Sequence, residues 1–186
     1  MRNLIYAINL TIDGYCDHTY TIAEEELLTY YTRLVRGADL LVYGRKTYQL
    51  MVPYWPDIAK NHSAETKAEQ EFAQAFESGN KIVFSKTLES VEGINTKIVR
   101  TDLKEEILQL KREQGKSILT TGGTDFPSQL IQLGLIDEYH IVIQPIIAGG
   151  GRRLFEIINL PEKLQLKLVE STTFKSGSIA LRYMKQ

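Results

Sequence analysis

The stretch Ser117-Ile118-Leu119-Thr120-Thr121-Gly122-Gly123-Thr124-Asp125-Phe126-Pro127 decides the fold of this chain. A short apolar run ends in two glycines, a capping pair follows, and Phe126, Leu130 and Leu133 then recur at helical spacing. This pattern predicts a strand, a tight turn and a helix. Glycines let the backbone approach a ligand closely, and a helix start offers unpaired N–H groups. The stretch is typical of a phosphate-binding turn, although a plain strand-to-helix connection uses the same residues.

The composition indicates one folded domain without a polyanionic partner. The 186 residues, 43% of them hydrophobic, suffice for one sizeable core and are too few for a second full domain. The 22 basic and 23 acidic residues leave no strong field to attract nucleic acid. The longest apolar run, residues 141–147, is too short to cross a membrane. Since the N-terminus enters a strand pattern directly, we expect no signal peptide and a cytoplasmic protein that acts on a small molecule.

Metal and disulfide chemistry are not expected from this sequence. The single cysteine, Cys16, excludes an internal disulfide and a thiolate-rich metal site. His18, His62 and His140 lie far apart, and none has the His-x-x-x-His spacing of a helical zinc site. We therefore predict that the protein binds no catalytic metal.

Strand and helix patterns alternate along the chain. Apolar strand patterns cover residues 4–12, 38–43, 81–86, 97–100, 138–147, 165–174 and 178–184, and the last two are joined by a hairpin signal, Lys175-Ser176-Gly177. Helical spacing covers residues 23–37, residues 64–76 and the segment that follows the cap Thr101-Asp102. Between them we predict a short helical turn ending before Pro53 and a rigid aromatic loop, residues 53–56. The order predicts an α/β fold with a mostly parallel sheet, an antiparallel C-terminal hairpin and helices on both faces.

Groups suited to phosphate recur where the predicted strands end. Gly44-Arg45-Lys46-Thr47 and Ser85-Lys86 combine cations with hydroxyls, and the glycine turn at residues 121–124 follows another strand. Because ligands of parallel sheets bind at the carboxyl ends of strands, these groups are candidates for an anion site. On its own, a basic pair such as Arg45 and Lys46 is more often an ordinary surface feature than a phosphate site. The triplet Gly149-Gly150-Gly151 lacks the ending of a phosphate loop and is interpreted as a flexible or bulged turn.

Carboxylates near the same edge are the candidate catalytic groups. Asp13 stands at the end of the first strand, and Glu25 and Glu26 lie in the first turn of the first helix. Acids at a helix start are commonly no more than a solvated, dipole-stabilised turn. An acid that faced a cleft would instead contact a nitrogen heterocycle.

The order and spacing of these segments resemble the dihydrofolate reductase fold. The part from Thr121-Gly122-Gly123 through Ile136-Asp137-Glu138 and Pro145 to residues 149–155 is similar to the reductase domain of the bacterial bifunctional riboflavin enzyme. This resemblance implies that the protein binds NADPH and transfers a hydride from nicotinamide C4 to a pterin-like or pyrimidine substrate. It further implies an oxidoreductase of the CH–OH or CH–NH donor class, in which the cofactor carries the chemistry.

The resemblance also implies which residues bind the cofactor. Its phosphate motif falls on residues 44–47, the strand end near the adenosine 2′-phosphate falls on residues 85–86, and the pyrophosphate turn falls on Gly122 and Gly123, joined in the family by a cis peptide. The implied cofactor-binding residues are Gly44, Arg45, Lys46, Thr47, Ser85, Lys86, Thr121, Gly122, Gly123 and Thr124.

Two departures from the family leave the activity open. Tyr15 follows Asp13-Gly14 where the riboflavin reductases usually carry lysine, and residues 44–47 replace their Asp-containing segment. No acid lies in a motif that matches a known proton donor. The alternative is therefore a non-catalytic nucleotide-binding module with the same fold. In either case the apolar C-terminal strands favour a homodimer.

Overall fold

Eight strands form one sheet in the computed structural model, which describes residues 1–93, 95–156, 158–160 and 162–186. The strands are β1 (Leu4–Thr11), β2 (Ala38–Gly44), β3 (Asn80–Phe84), β4 (Thr96–Val99), β5 (Ser117–Thr121), β6 (Glu138–Gln144), β7 (Leu166–Thr173) and β8 (Ile179–Lys185). The helices are α1 (Glu25–Gly37), α2 (Arg45–Asn61), α3 (Lys67–Ser78), α4 (Leu103–Arg112) and α5 (Asp125–Gln132), and His18–Tyr20 forms a single 3₁₀ turn.

The strand order is β4-β3-β2-β5-β1-β6-β8-β7. Strands β1 to β6 are mutually parallel, whereas β8 pairs antiparallel with β6 and β7 pairs antiparallel with β8. β1 lies at the centre because its apolar residues are buried on both faces, as the continuous run in residues 4–12 predicts. The predicted α/β fold, a mostly parallel sheet with an antiparallel C-terminal hairpin, is confirmed.

Helices cover both faces of the sheet, and alternate residues of β1 point to each. Ile5 and Ala7 join one core cluster with side chains from α1, α2 and α3, whereas Leu4 and Tyr6 join a second cluster with side chains from α4 and α5. Each face therefore has its own hydrophobic core, and the predicted placement of helices on both sides is confirmed.

The connections from β1 and β5 leave the sheet on opposite faces. β1 continues into α1 on the first face, and its neighbour β5 continues into α5 on the second. Where adjacent parallel strands diverge in this way, their carboxyl ends border a crevice that is the usual ligand site of such sheets. We call this place the β1–β5 crevice.

The prediction for residues 45–56 is wrong. α2 continues through Pro53 and Pro56, where a short turn and an aromatic loop were expected. An interior proline costs a helix about 3 kcal/mol. Tertiary packing offsets this cost, since Val52 is buried and the Trp55 ring packs edge-on against Phe72 of α3 with a centroid distance of 4.5 Å. Burying one such large side chain stabilises by about 1.5 to 3 kcal/mol.

Candidate active site

Three predicted phosphate-binding segments meet at one edge of the sheet. Arg45 follows the carboxyl end of β2, Ser85 follows β3 and Gly122 follows β5. The strands lie side by side in the order β3-β2-β5. Because neighbouring strands are about 4.8 Å apart, the ends of β3 and β5 are separated by only about 10 Å.

Two hydrogen bonds hold the backbone of the glycine turn after β5 against β1. The N–H of Gly122 donates to the carbonyl of Ala7 at 2.9 Å, and the Tyr6 hydroxyl donates to the carbonyl of Gly123 at 3.0 Å. Gly122 and Gly123 have φ values of +61° and +69°. The peptide between them is trans, so the implied cis bond is wrong: two left-handed glycines make the turn instead. A Cβ on Gly123 would overlap the Thr47 hydroxyl, so this turn touches the first turn of α2.

Gly44 has a packing role that the sequence does not reveal. A Cβ at this position would lie 2.7 Å from the Cβ of Phe126. Phe126 belongs to the first turn of α5 and stacks on Phe84 at a centroid distance of 5.3 Å. The missing side chain of Gly44 therefore lets α5 approach the end of β2, which brings the starts of α2 and α5 together.

Both of these helices begin without a side-chain cap. Gly44 precedes α2, and the Thr124 hydroxyl, expected to cap α5, lies 3.4 Å from an Asp125 carboxylate oxygen instead. By contrast, α4 begins at the same edge of the sheet and is capped by Asp102, which accepts from the Glu105 N–H at 3.0 Å. The first-turn N–H groups of α2 and α5 therefore remain available to an anion.

Ion pairs among three charged side chains link the starts of α2 and α5 to residues 148–152, which we call the glycine-rich segment. Lys46 Nζ lies 2.9 Å from Asp125 Oδ2, and Arg152 NH2 lies 3.2 Å from Asp125 Oδ1. The hydrogen bond from Lys46 and the charge of Arg152 lower the pKa of the Asp125 carboxyl. Arg45 instead donates to the neutral amide of Gln49 at 3.1 Å, so its charge is not compensated by that contact.

Two further cations extend the basic region toward the end of the sheet. Lys86 follows β3, and Arg100 follows the paired strand β4, where it donates to the carbonyl of Leu88 at 2.6 Å. The Ser85 hydroxyl oxygen accepts from the Leu88 N–H at 2.9 Å and so shapes the same turn. Arg100 is not among the residues predicted to bind the cofactor, although it is a base immediately after a strand pattern. Its proximity to Ser85 depends on strand register, which the sequence does not state.

The β1 side of the crevice carries neutral polar groups. Tyr31 of α1 donates to Asn9 Oδ1 at 3.1 Å, and Asn9 Nδ2 donates to the Thr21 hydroxyl at 3.4 Å. Across the crevice, the hydroxyls of Tyr43 and Thr121 are 3.3 Å apart. Burial raises the pKa of Tyr31 and raises that of Tyr43 to about 12, so both remain protonated at neutral pH. Asn9 is not among the predicted candidates either, although it is a polar residue inside an apolar strand pattern.

Asp13, the first candidate acid, clamps the glycine-rich segment. Its Oδ1 accepts from the Thr11 hydroxyl at 2.6 Å and the Ala148 N–H at 3.1 Å, and its Oδ2 accepts from the Gly149 N–H at 2.8 Å. The Thr11 hydrogen bond, followed by these backbone bonds, lowers the pKa of Asp13 to about 2. The carboxylate is thus ionised and engaged in holding a loop.

The two candidate glutamates are also placed away from the glycine turn. Glu26 accepts from the backbone N–H of Lys175 at 2.6 Å and so supports the turn between β7 and β8. Glu25 is exposed at the start of α1. Among the described residues, no hydrogen bond or ion pair joins these three carboxylates to the segments that meet at the ends of β2, β3 and β5.

The described part of the chain contains no helix long and apolar enough to cross a membrane. Within the same residues, no three His, Cys, Asp or Glu side chains are grouped so that they could hold a metal ion.

Residues 2–180 match the family model of the RibD C-terminal domain. The uncharacterized protein YyaP of Bacillus subtilis (strain 168) is 30% identical over 187 residues, which cover 98% of this chain and 94% of YyaP. Among solved structures, the Thermotoga maritima diaminohydroxyphosphoribosylaminopyrimidine deaminase/5-amino-6-(5-phosphoribosylamino)uracil reductase has a TM-score of 0.69 at 15% identity, over 100% of this chain and 57% of that one. Dihydrofolate reductase of Enterococcus faecalis, solved with NADP(H), has a TM-score of 0.64 at 13% identity, over 99% of this chain and 96% of the other. These similarities confirm the predicted dihydrofolate reductase-like fold.

Proposed function

Because the chain belongs to the RibD C-terminal domain family, a family of reductase type, we propose that it is an NADPH-dependent reductase. It transfers a hydride to a flat heterocycle of the pterin or aminopyrimidine kind. The observation that carries this proposal is the convergence of Arg45, Ser85 and Gly122 on three adjacent strand ends. The ends of β3 and β5 are about 10 Å apart, which is short enough for one extended dinucleotide to contact all three segments.

The donor set of the site fits this cofactor. The open first turns of α2 and α5 and the glycine turn supply backbone N–H groups for the pyrophosphate, with Arg45, Lys46 and Thr47 beside them. Lys86 follows β3 and Arg100 follows the neighbouring strand β4, so both cations are suited to the additional 2′-phosphate that distinguishes NADPH from NADH. Ser85 contributes a hydroxyl at the same place. The site thus has a cationic half for the phosphates and a neutral half, around Asn9, for the reacting ring.

When bound, NADPH supplies the hydride. The residues of the chain bind and orient the two reactants, and the protonated hydroxyls of Tyr31 and Tyr43 keep the neutral half polar without introducing charge. Since Asp13 and Glu26 are engaged in backbone hydrogen bonds, we assign neither as the acid, and water delivers the proton.

The test is titration with NADPH followed through its fluorescence. Arg45→Ala should weaken binding by at least about ten-fold, because one lost charge-assisted hydrogen bond costs about 1.5 to 3 kcal/mol. Arg33→Ala removes the same charge from an exposed position on α1 and is the matched control. Lys86→Ala should reduce the preference for NADPH over NADH. Failure of the wild-type protein to bind either nicotinamide cofactor at millimolar concentration would remove the proposal.

The alternative function is a nucleotide-binding module without turnover. One observation favours it, namely that the candidate acids Asp13 and Glu26 both serve structural hydrogen bonds. Incubation with NADPH and a panel of pteridines and aminopyrimidines, followed at the nicotinamide absorbance band, separates the two. If the protein binds NADPH but does not oxidise it with any substrate of the panel, the result would favour the module.

We also propose that the protein is a homodimer formed through the C-terminal strands. β7 ends the sheet and is exposed along nearly its whole length, including Leu168 and Val169, which are 49% and 48% exposed. An exposed apolar edge strand favours pairing with another chain. Light scattering after gel filtration should give twice the chain mass of 21.2 kDa, and Leu168→Lys should shift the protein toward a monomer.

A further inference from the structure

Asn9 is an unusual residue for its position. It belongs to β1, the central strand of the sheet, and is the one half-buried position in a strand whose other seven residues are buried. Asparagine is disfavoured in strands, and a polar side chain near a core costs free energy unless its hydrogen bonds are made. Strand propensity therefore does not account for an amide at this place.

The amide of Asn9 is held in one orientation by two neighbours. Tyr31 donates to its oxygen at 3.1 Å, and its nitrogen donates to the Thr21 hydroxyl at 3.4 Å. A side-chain amide has two N–H donors and an oxygen with two lone pairs. One donor and one lone pair therefore remain for another molecule, and they are presented from a fixed side chain at the β1–β5 crevice.

Within the described residues, both hydrogen-bond partners of this amide are neutral. Its partners are the hydroxyls of Tyr31 and Thr21, and burial raises the pKa of Tyr31, so that hydroxyl stays protonated. The carboxylate that follows β1, Asp13, accepts from Thr11 and from two backbone N–H groups. A carboxylate at this position would favour a cationic ring. A neutral amide instead offers one donor and one acceptor, which match an uncharged edge that carries an N–H beside a C=O.

We infer that Asn9 is the substrate-recognition residue of this site and that it reads a neutral lactam edge, an N–H beside a C=O, on the heterocycle. The inference rests on the proposed reductase function, and it narrows the substrate class from any nitrogen heterocycle to those that present such an edge. Tyr31 and Thr21 act as positioning residues that aim the amide.

The test exchanges the amide for a carboxylate. Asn9→Asp keeps the shape of the side chain, and both hydroxyl partners can donate to a carboxylate, so the variant should fold. Binding of two probes, 5,6-diaminouracil as the neutral lactam and 2,4,6-triaminopyrimidine as the protonatable ring, is measured calorimetrically with and without NADPH. The wild-type protein should prefer the lactam. Asn9→Asp should reverse this preference, with a relative shift of at least ten-fold, and its binding of triaminopyrimidine should weaken as the pH rises and the probe loses its proton.

Two further variants complete the design. Asn9→Ala should lose lactam binding by about ten-fold while NADPH affinity stays within a factor of about three. Asn3→Asp makes the same chemical change at the exposed start of the same strand segment and should leave the probe preference unaltered. A wild-type protein that ignores the lactam probe, or Asn9 variants that bind both probes as the wild type does, would overturn the inference. Loss of NADPH binding with the probe preference intact would instead count against the proposed cofactor and leave the role of Asn9 standing.

Discussion

Gly123 and Gly149 form a matched pair that tests how the site is assembled. Both residues have a φ of +69°. A Cβ added to Gly149 meets nothing within 4 Å, whereas one added to Gly123 would overlap the Thr47 hydroxyl. Substitution by alanine therefore imposes the same backbone strain at both sites and adds a collision only at Gly123. The difference between the two variants measures the contact between the glycine turn and α2.

The magnitudes follow from these two contributions. A left-handed conformation costs an L-residue about 1 to 2 kcal/mol, and both variants should lose this amount of unfolding free energy. In Gly123→Ala the Thr47 side chain must also leave its rotamer, which costs about 0.5 to 1.5 kcal/mol. Gly123→Ala should therefore be less stable than Gly149→Ala by about 1 kcal/mol. For a chain of this length that difference corresponds to about 2 to 4 °C in melting temperature.

The assay is urea unfolding followed by circular dichroism, with Thr47→Ala added to both backgrounds. Removing the Thr47 hydroxyl should abolish the excess loss of Gly123→Ala, which appears as a favourable coupling energy of about 1 kcal/mol in the double-mutant cycle. The same substitution should leave the loss of Gly149→Ala unchanged. Equal losses in the two glycine variants, or an excess that survives Thr47→Ala, would refute the claim that these segments are in contact.

Three other predictions concern single interactions. Asp13→Asn should remove a pH dependence of stability: the folded pKa is about 2 against an ordinary value of 3.8, so the unfolded state binds more protons between these values and the wild type loses stability as the pH falls through that window. Acid titration by circular dichroism measures this, and parallel curves would contradict it. Asp102→Ala should lower the unfolding free energy in urea by about 1 kcal/mol through loss of the α4 cap, and a change of only a few tenths would show that the cap is not needed. Lys111→Met should cost about 3 kcal/mol in the same assay, because it removes the ion-pair partner of the partly buried Asp137 carboxylate, which lies 2.6 Å from the lysine. The exposed ion pair between Lys67 and Glu71 should contribute less than about 1 kcal/mol to the unfolding free energy. Similar losses in Lys67→Met and Lys111→Met would contradict the conclusion that burial makes the second pair the stronger one.

Much of the fold was predictable because the spacing of apolar residues within one segment indicates which of its faces is buried. The apolar run in residues 4–12 and the helical repeat in residues 23–37 correspond to β1 and α1. Asp102 was predicted as a cap, and it accepts the Glu105 N–H. Such signals depend on the period of side chains along one element, so that they can be detected without knowing its neighbours.

The candidate site was predictable in part. Arg45, Ser85 and Gly122 were selected because each follows a strand pattern, and the structure brings their segments to adjacent strands. The position of Arg100 beside Ser85 could not be predicted, since it depends on the register in which β3 pairs with β4. The path of α2 through Pro53 was mispredicted because local rules include the cost of proline and omit the packing that offsets it.

By itself, the sequence determined the alternation of strands and helices and the placement of glycines, cations and hydroxyls at strand ends. Only the tertiary structure decided which of these groups meet. Lys46 and Asp125 are 79 residues apart and yet form an ion pair, and Asn9 acquires its orientation from a tyrosine on a separate helix. The physical reason is that periodicity reflects each segment's own burial, whereas the geometry of the site depends on strand order and packing between segments distant in the chain.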